Sequence, residues 1–335
     1  MKRRNFIQST STASLSAPLG CAITGAKAAD TPSENLSSRS SFAVDANRVR
    51  FYSPAVKESI KVLVVADTHL FKDDNRGEPF QQFSGRMAKA YNRTIHFQSG
   101  ATTTPEESFA EALMHGKQSE VDLLALVGDI FSFPSEAAID WVSGQLKQAG
   151  LPYLYTAGNH DWHYEGMKGS LETLRNTWIE KRLKLLYQGN HPLMAAYEVK
   201  GITFLAIDNS HYQILPEQLD FFREHVSHGK PIVLMVHIPL FAPGRPTGYG
   251  CGHPDWSAKT DRNHELERRP KWPESGHTAV TMDFHREVFA ATNLLGVFAG
   301  HIHRQSIDVM NGIPQFVTNA NATGAFMDVE FLPAP

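Results

Sequence analysis

Five short apolar runs divide the chain, and each is continuous rather than alternating with polar residues. Runs of this kind are typical of β-strands buried on both faces, as the strands of parallel sheets are. They occupy residues 62–66, 123–127, 153–157, 232–236 and 294–299. Residues 202–207 have the same character and predict a sixth strand.

Helices are predicted between these strands. The segment Thr104-Pro105-Glu106-Glu107 has the features of a helix start, with Thr104 as N-cap, Pro105 at the first helical position and Glu107 completing a capping box. We expect that helix to run to about residue 117. Further helices are predicted near residues 136–148, 169–182, 216–227 and 280–292.

The alternation of strands and helices predicts an α/β fold with a largely parallel sheet at its centre. Short hairpin strands are expected after residue 303, with Asn311-Gly312 as the two-residue turn between two of them. The candidate site residues described below spread from the first strong strand to the last. We therefore expect one domain rather than two.

Composition narrows the class of protein. Of 335 residues, 41% are hydrophobic and 20% are charged, which excludes disordered, collagen-like and coiled-coil proteins. Two cysteines exclude a disulfide scaffold. A net charge of −3 provides no basic surface, so no nucleic-acid partner is expected. The 16 histidines are about twice the usual share, and histidine is the commonest metal ligand.

Residues 1–28 resemble a bacterial twin-arginine signal peptide. Arg3-Arg4 precedes a weakly apolar stretch rich in Ser, Thr and Ala, and small residues at Ala26 and Ala28 suit a signal peptidase. The stretch is too polar and short to form a stable membrane span. We expect a periplasmic or secreted protein that uses the twin-arginine export machinery. A disordered basic tail and a lipoprotein anchored through Cys21 are the alternatives.

Removal of this segment changes the charge of the protein. Cleavage after Ala28 leaves 28 Lys and Arg against 35 Asp and Glu, a net charge of −7. Cys251 is then the one remaining thiol, so an intrachain disulfide is impossible. We interpret residues 29–41 as a polar linker and residues 42–335 as the folded domain.

Polar side chains that can bind metal ions follow each of the five apolar runs directly. The carboxyl ends of strands in open α/β sheets are where ligands bind, so these residues predict one shared metal cluster. On its own, His69 or His237 would be interpreted as a hydrogen-bonded histidine of the core. Five such segments, each directly after an apolar run, are very improbable by chance. The segments are Asp67-Thr68-His69, Gly128-Asp129, Gly158-Asn159-His160-Asp161, His237 and Gly300-His301-Ile302-His303.

These segments resemble the calcineurin-like metallophosphoesterase superfamily over about residues 61–304. The resemblance implies a four-layer α/β/β/α sandwich with a dinuclear metal site at the C-terminal ends of the central strands. It assigns one metal ion to Asp67, His69, Asp129 and His303. It assigns the other to Asp129, Asn159, His237 and His301. Asp129 then bridges the two ions.

The expected reaction is hydrolysis of phosphate mono- or diesters by attack of a metal-bridging hydroxide on a small phosphate-ester substrate. Phosphate esters repel hydroxide, and two metal ions offset that repulsion while activating water. Oxygen and imidazole ligands without thiolate suit two divalent or trivalent ions such as Mn, Fe or Zn. The alternative is a non-catalytic scaffold of the same fold, which the complete ligand set argues against.

His160 is the candidate general acid, because a leaving alkoxide needs a proton. A histidine that only positions water or phosphate is the alternative. Asp161 is expected either to orient His160 or to cap the following segment. Ser132 stands where purple acid phosphatases have a tyrosine.

Serine/threonine protein phosphatases have an aspartate that pairs with the histidine corresponding to His160, and this sequence lacks it. The partner of His160 is therefore left open.

A long polar stretch over residues 241–283 is expected to cap the site. Its arginines suit phosphate, and its tryptophans argue against plain disorder. A structural flap with solvated charges is the alternative, and residues 71–103 form a second candidate insertion at the rim. The expected substrate contacts are Asn159, His160, His163, Arg245 and His253.

Overall fold

The computed structural model describes residues 40–334, and the helices and strands named here belong to that range. The predicted signal peptide over residues 1–28, the alternative lipid anchor at Cys21 and nearly all of the predicted linker lie outside it. The first strand begins at Ser41, close to the predicted start of the folded domain at residue 42. Nowhere in residues 40–334 is there a helix with the length and apolar character needed to cross a membrane.

Fourteen strands are formed by the described residues. The first seven are β1 Ser41–Asp45, β2 Arg48–Ser53, β3 Ile60–Val65, β4 Thr94–Ile95, β5 Thr102–Thr103, β6 Leu123–Val127 and β7 Tyr153–Thr156. The others are β8 Met194–Val199, β9 Ile202–Ile207, β10 Ile232–Met235, β11 Leu294–Ala299, β12 Ser306–Met310, β13 Ile313–Val317 and β14 Met327–Pro333. All six predicted strands are therefore confirmed, with ends within two residues of those expected.

The helices connect the strands as expected. They are α1 Gln81–Met87, α2 Pro105–Gln118, α3 Glu136–Ala149, α4 Leu171–Lys181, α5 Pro216–Ser227, α6 Asn263–Leu266 and α7 Ala279–Val288. Short 3₁₀ turns occupy Asn75–Phe80, Leu183–Tyr187, Thr247–Tyr249 and Asn321–Thr323.

The cap residues explain where the helices begin and end. In α2, the Thr104 side chain accepts a hydrogen bond from the backbone N–H of Glu107, and the Glu107 side chain accepts one from the backbone of Thr104, so the predicted capping box is confirmed. Helix α7 ends at Val288, four residues before the predicted end. There Ala290 and Ala291 donate to carbonyls three residues back, and this tighter turn leads the chain into β11.

Two six-stranded sheets contain most of the strands. One has the order β1-β2-β14-β3-β6-β7, and the other has the order β12-β13-β11-β10-β9-β8. In the first, β3, β6 and β7 run parallel, with Val62 opposite Leu123 and Leu124 opposite Tyr153. In the second, β9, β10, β11 and β13 run parallel. Asn311 and Gly312 both have positive φ and form the predicted turn between β12 and β13.

Three apolar cores lie between and outside the sheets. Alternate residues of β3 enter different cores: Val62 and Val64 face the second sheet, whereas Leu63 and Val65 pack with residues of α2 and α3. On the other side, residues of β9 and β10 pack against α5 and α7. Because both faces of each sheet are covered, the layers run helix, sheet, sheet, helix, and the predicted four-layer α/β/β/α fold is confirmed.

The insertion (residues 241–283) is packed by its own aromatic side chains. Trp256 and Trp272 are buried, and their ring centroids lie 5.1 Å apart. The ring of His277 stacks on that of Trp256 at 4.3 Å between centroids. Tyr212, which follows β9, also stacks on the Trp256 ring, at 5.5 Å. This stack joins the insertion to the outer core beside the second sheet.

Candidate metal centre

Seven polar side chains meet where five strands end. They project from the loops after β3, β6, β7, β10 and β11, which we call the ligand loops. Parallel strands bring these loops to one edge of each sheet, so residues far apart in the sequence become neighbours. The seven residues are Asp67, His69, Asp129, Asn159, His237, His301 and His303, which are the predicted metal ligands.

Four of them form a first group. Asp67, His69, Asp129 and His303 each offer a ligand atom, and these atoms lie within 4.8 Å of one another. The Nε2 atoms of His69 and His303 are 2.9 Å apart, and Nε2 of His303 is 3.4 Å from Oδ1 of Asp67. Asp67 and His69 are fully buried. Two imidazoles and two carboxylates therefore point into the same small space.

Asp129 also belongs to a second group. The ligand atoms that Asp129, His237 and His301 offer also lie within 4.8 Å of one another. Nε2 of His237 lies 3.2 Å from Oδ2 of Asp129. Asn159 is fully buried beside them, and its Oδ1 has no hydrogen-bond partner within residues 40–334. A buried amide oxygen without a partner is costly, which a metal ion at this position would relieve.

Backbone groups orient these ligands. Nδ1 of His237 lies 2.9 Å from the carbonyl oxygen of Val127, so donation from Nδ1 leaves Nε2, on the side of Asp129, to hold either a proton or a metal ion. The backbone N–H of His301 donates to both carboxylate oxygens of Asp67 at 3.0 and 2.9 Å. Each carboxylate thus keeps further lone pairs for a cation.

Five of the seven ligands have left-handed backbone conformations. Such φ values cost of the order of 1–3 kcal/mol each for residues other than glycine and cluster at functional sites. The values are 57° for Asp67, 54° for His69, 51° for Asp129, 71° for His301 and 55° for His303. Tight turns directly after the strands impose these angles, and they aim the side chains into the common space.

Two glycines of the motifs leave room for ligand side chains. A Cβ atom on Gly300 would lie 2.6 Å from Oδ2 of Asp67, and one on Gly158 would collide with the carboxylate of Asp129. The glycines that precede His301 and Asn159 are therefore required by the packing of the carboxylates, since a larger residue would displace a ligand.

The electrostatics suit a cation. Although burial alone would raise the pKa of Asp129, the neighbouring His237 and His160 hold it well below its usual range. Burial alone would lower the pKa of His237, but the charge of Asp129 outweighs it and raises that pKa to about 10. Burial lowers the pKa of His69 and His301, which favours neutral imidazole. Burial alone would lower the pKa of His303 as well, but the charge of Asp67 raises it. A metal ion would therefore displace protons from His237 and His303, whereas His69 and His301 already offer neutral imidazole, a donor that Mn, Fe and Zn ions accept. The two groups therefore fit a dinuclear metal site.

His160 lies at the edge of both groups. Its backbone N–H donates to Oδ1 of Asp129 at 2.8 Å, and its ring meets the His69 ring at 4.9 Å, edge to face. Its Nδ1 is 3.3 Å from the backbone carbonyl oxygen of Ser132. The partner that the sequence left open is thus a main-chain carbonyl. Donation from Nδ1 leaves Nε2 available to a ligand.

Asp161 holds the backbone behind His160. Its carboxylate accepts hydrogen bonds from the backbone N–H groups of Phe131 and Gly158, both at 2.8 Å, and from the hydroxyl of Tyr155 at 2.9 Å. Among the described contacts of this carboxylate, the His160 ring does not occur. The described contacts therefore correspond to neither expected role: the carboxylate supports the loops that precede it, and it neither orients the imidazole nor caps the following segment.

An open cleft of about 380 Å³ gives access to the ligands. It is bounded by the ligand loops, by the insertion and by Tyr91 from the predicted rim segment over residues 71–103. Its lining residues are Tyr91, Asp129, His160, Pro246, Gly248, Tyr249, Asn263, Glu267, His301, Ile302, His303 and Arg304.

Of the five expected substrate contacts, His160 lines the cleft, whereas Asn159 is fully buried and outside the described lining. The other three are held elsewhere. The guanidinium of Arg245 donates to Asp308 at 2.8 Å and lies over the ring of Tyr249. His253 accepts from the backbone of Asp255, and Nε2 of His163 lies 3.0 Å from the carbonyl oxygen of Glu267. The described lining of the cleft includes none of these three side chains, because each is occupied within the protein.

Two tyrosines that the sequence did not single out contact the histidine ligands. Tyr91 stacks on His69 at 4.1 Å, and its hydroxyl lies 3.2 Å from Nδ1 of His303. The hydroxyl of Tyr212 lies 2.5 Å from Nε2 of His301. Tyr212 follows β9 in the run 208–212, so the strand-end pattern used for the other strands could have found it. Tyr91 has no comparable signal.

Comparison with known proteins points to one family. The sequence model of calcineurin-like phosphoesterases matches residues 60–305 of the chain. A probable cyclic nucleotide phosphodiesterase of Moraxella catarrhalis (strain BBH18) is 36% identical over 59 residues, which is 18% of this chain and 21% of that relative. The chain thus matches about a fifth of that relative's length.

A solved structure shares the fold. The dimetal phosphatase from Danio rerio superposes with a TM-score of 0.50 at 12% identity, and the match covers 80% of this chain and 91% of that one. At this identity the likeness shows the arrangement of sheets and helices alone.

Proposed function

Because the chain belongs to the calcineurin-like phosphoesterase family, we propose that it hydrolyses small phosphate mono- or diesters at the two ligand groups. The observation that carries this proposal is the shared carboxylate of Asp129, which lies in both groups. One carboxylate common to two adjoining sites is what holds a pair of metal ions at the short separation that phosphoryl transfer requires.

The residues of the chain would hold two ions of the Mn, Fe or Zn kind. The four residues of the first group suit one ion, and Asp129, Asn159, His237 and His301 suit the other. When bound, such a pair supplies positive charge to the phosphoryl oxygens and an activated water as nucleophile.

We infer that His160 donates a proton to the leaving oxygen. Its ring borders the cleft, and the contact of Nδ1 with the Ser132 carbonyl keeps Nε2 directed away from the backbone. Burial lowers the pKa of His160, which makes the imidazolium a stronger acid and reduces the share of it that is present at neutral pH. Acid catalysis by His160 should therefore increase as the pH falls below neutrality. Asp161 contributes by fixing the backbone that carries His160.

A metal-dependence assay tests the activity. The full chain, purified and loaded with Mn, is assayed on a chromogenic phosphomonoester, a chromogenic phosphodiester and cyclic nucleotides, before and after chelation. Cyclic nucleotides belong in the panel because the Moraxella relative is named for them. We expect hydrolysis that chelation abolishes and added metal restores. Hydrolysis that survives chelation would contradict the dinuclear mechanism, and a metal-free, inactive protein would be a binding scaffold.

We also propose export through the twin-arginine machinery, on the basis of residues 1–28 alone. Cell fractionation of the wild type and of the Arg3→Lys/Arg4→Lys variant tests it. We expect the wild type in the periplasm or medium and the variant in the cytoplasm. Membrane association that Cys21→Ala abolishes would instead indicate the lipoprotein alternative.

A further inference from the structure

We propose that Arg269, in the insertion, binds the phosphate group of the substrate, and that Glu267 occupies the guanidinium until substrate arrives. This inference rests on the proposed phosphoesterase function and names one residue that recognises the substrate. It also gives Glu267 a role as an internal competitor of the phosphate group.

Arg269 is buried in a way that calls for an anionic ligand. Its side chain is 1% exposed, and none of its Nε, Nη1 and Nη2 atoms has a hydrogen-bond partner among the described residues. Its Nη2 faces the carboxylate of Glu267. Burial lowers the pKa of Arg269 to about 10, so it still carries its charge at neutral pH. A buried guanidinium with free donors is costly unless a further acceptor reaches it.

Glu267 connects this arginine to the candidate metal centre. Its carboxylate borders the cleft, as Asp129 and His160 do. Its Oε2 lies 3.5 Å from Nδ2 of Asn159, a residue of the second group. Arg269 is therefore one side chain away from a proposed metal ligand.

A second chain of contacts fixes Arg269 from the other side. The guanidinium lies over the ring of Trp272 at 5.1 Å, and that ring is 5.1 Å from the ring of Tyr212. The hydroxyl of Tyr212 contacts His301, another residue of the second group. The aromatic stack thus holds the guanidinium behind Glu267, which lines the cleft whereas Arg269 itself does not.

Phosphate and carboxylate are interchangeable partners for such a guanidinium. Both are anions that accept two parallel N–H donors from its planar fork. Substrate entry would move the Glu267 carboxylate aside and place phosphate oxygens against the Arg269 guanidinium. This exchanges one anionic partner for another, and no covalent bond is formed or broken. The two residues therefore act on phosphate affinity in opposite directions.

Opposite shifts in KM follow from this competition. We expect Arg269→Gln to raise KM for a phosphomonoester by about 10- to 100-fold, the usual range for loss of a charged hydrogen bond to phosphate, with a smaller change in kcat. Arg269→Lys retains charge without the fork and should be intermediate. Glu267→Gln should lower KM by roughly three- to tenfold, because it removes the competing charge.

Arg268→Gln is the matched control. This neighbouring arginine is half exposed and lies 3.7 Å from Glu165 rather than at the cleft. The substitution removes the same charge one residue away, so KM should stay within about twofold of the wild type. A shift equal to that of Arg269→Gln would show that the effect is a general loss of positive charge.

The test uses the full chain loaded with Mn. Steady-state assays on the chromogenic monoester give KM and kcat, and calorimetric titration with inorganic phosphate gives affinity without turnover. Circular dichroism and metal content establish that each variant is folded and loaded. Weaker phosphate binding in both Arg269 variants and tighter binding in Glu267→Gln would support the proposal.

Two results would overturn it. Unchanged KM and phosphate affinity in Arg269→Gln would show that the guanidinium does not reach phosphate. A Glu267→Gln variant that loses affinity as Arg269→Gln does would make the pair a structural unit. If the wild type binds phosphate but hydrolyses no ester, the proposed function fails while the calorimetric comparison still decides the role of Arg269.

Discussion

The ligand loops and the insertion border the same cleft, but different forces hold them. In the ligand loops, backbone hydrogen bonds reach the functional side chains directly, as from His160 to Asp129 and from His301 to Asp67. The insertion is held by the stacked rings of Trp256, Trp272 and their neighbours. The loops are thus anchored to two buried sheets, whereas the insertion combines side-chain packing with short-range backbone hydrogen bonds, such as that from Phe241 to the carbonyl oxygen of Cys251.

This difference separates two kinds of function. A ligand set that must hold two cations at fixed distances needs the rigidity of strand ends, and the left-handed φ angles show that the sheets tolerate local strain there. Recognition of the substrate tolerates more variation, so residues on a packed insertion suffice. Changes in the loops should therefore remove chemistry, and changes in the insertion should alter affinity or stability.

The largest expected effect is in Asp129→Ala. Loss of the carboxylate shared by both groups should abolish paired metal binding and reduce hydrolysis to background. Elemental analysis of the dialysed protein and the chromogenic assay measure the two effects. Asp140→Ala, at an exposed position of α3, is the control and should bind metal as the wild type does. Two tightly bound ions in Asp129→Ala would contradict the shared role.

The next effect is in His160→Ala. We expect metal content to be retained and kcat to fall by about 10²- to 10⁴-fold, the usual contribution of a general acid. Because His160 contacts Asp129 through its backbone, the substitution leaves that hydrogen bond in place. The exposed His228→Ala serves as control. Full turnover in His160→Ala would exclude the general-acid role.

Sequence reasoning succeeded where structure is local. Each of the six apolar runs forms a strand, and the capping box at Thr104 starts α2 as predicted. Strand β14 was not anticipated. It pairs with both β2 and β3, more than 250 residues earlier in the chain, and no neighbouring residues indicate that distant partner. Strands β1, β2 and β8 were also not predicted, although β1 pairs with β2 and β8 pairs with β9 as local hairpins. The family inferred from the strand-end motifs is confirmed.

The same limit applies to the site. The candidate ligand residues could be proposed because each follows a buried strand. The structure places six of them in the two groups, and Asn159 is buried with its Oδ1 unpartnered among the described residues. Arg268 and Arg269 show what could not be predicted: they are adjacent and chemically identical, yet one side chain is 50% exposed and the other 1%. Their difference depends on contacts with Glu165 and with Trp272, which only the folded insertion creates.

A smaller effect concerns the stability of the insertion at acid pH. Nε2 of His277 accepts a hydrogen bond from the backbone N–H of Gly252. Burial lowers the pKa of His277 to about 4, although the backbone of Tyr212 and Gly250 opposes this shift. Above its ordinary pKa of 6.5, His277 is neutral in both the folded and the unfolded chain. Between pH 6.5 and 4 the unfolded chain binds the proton and the folded chain does not.

The free energy of unfolding should therefore fall as the pH decreases through that window, by up to about 3 kcal/mol from this residue. His277→Gln can accept the same hydrogen bond but does not titrate, so it should lose that part of the pH dependence. Urea unfolding at pH 7, 5.5 and 4.5 measures the difference, with the exposed His228→Gln as control. Parallel pH profiles for the wild type and His277→Gln would contradict the prediction.

The smallest effect is expected at Arg245, which separates the two kinds of arginine in the insertion. Arg245 is held by Asp308 and by the ring of Tyr249, so Arg245→Ala should lower the free energy of unfolding by about 1 kcal/mol. KM should change by less than about twofold, because the guanidinium is already paired with Asp308, whereas that of Arg269 has donors without a partner. Arg223→Ala, which breaks a similar surface pair with Glu287, is the matched control for stability. A tenfold rise in KM in Arg245→Ala alone would show that this arginine leaves Asp308 to bind substrate, and that the insertion rearranges when the cleft is filled.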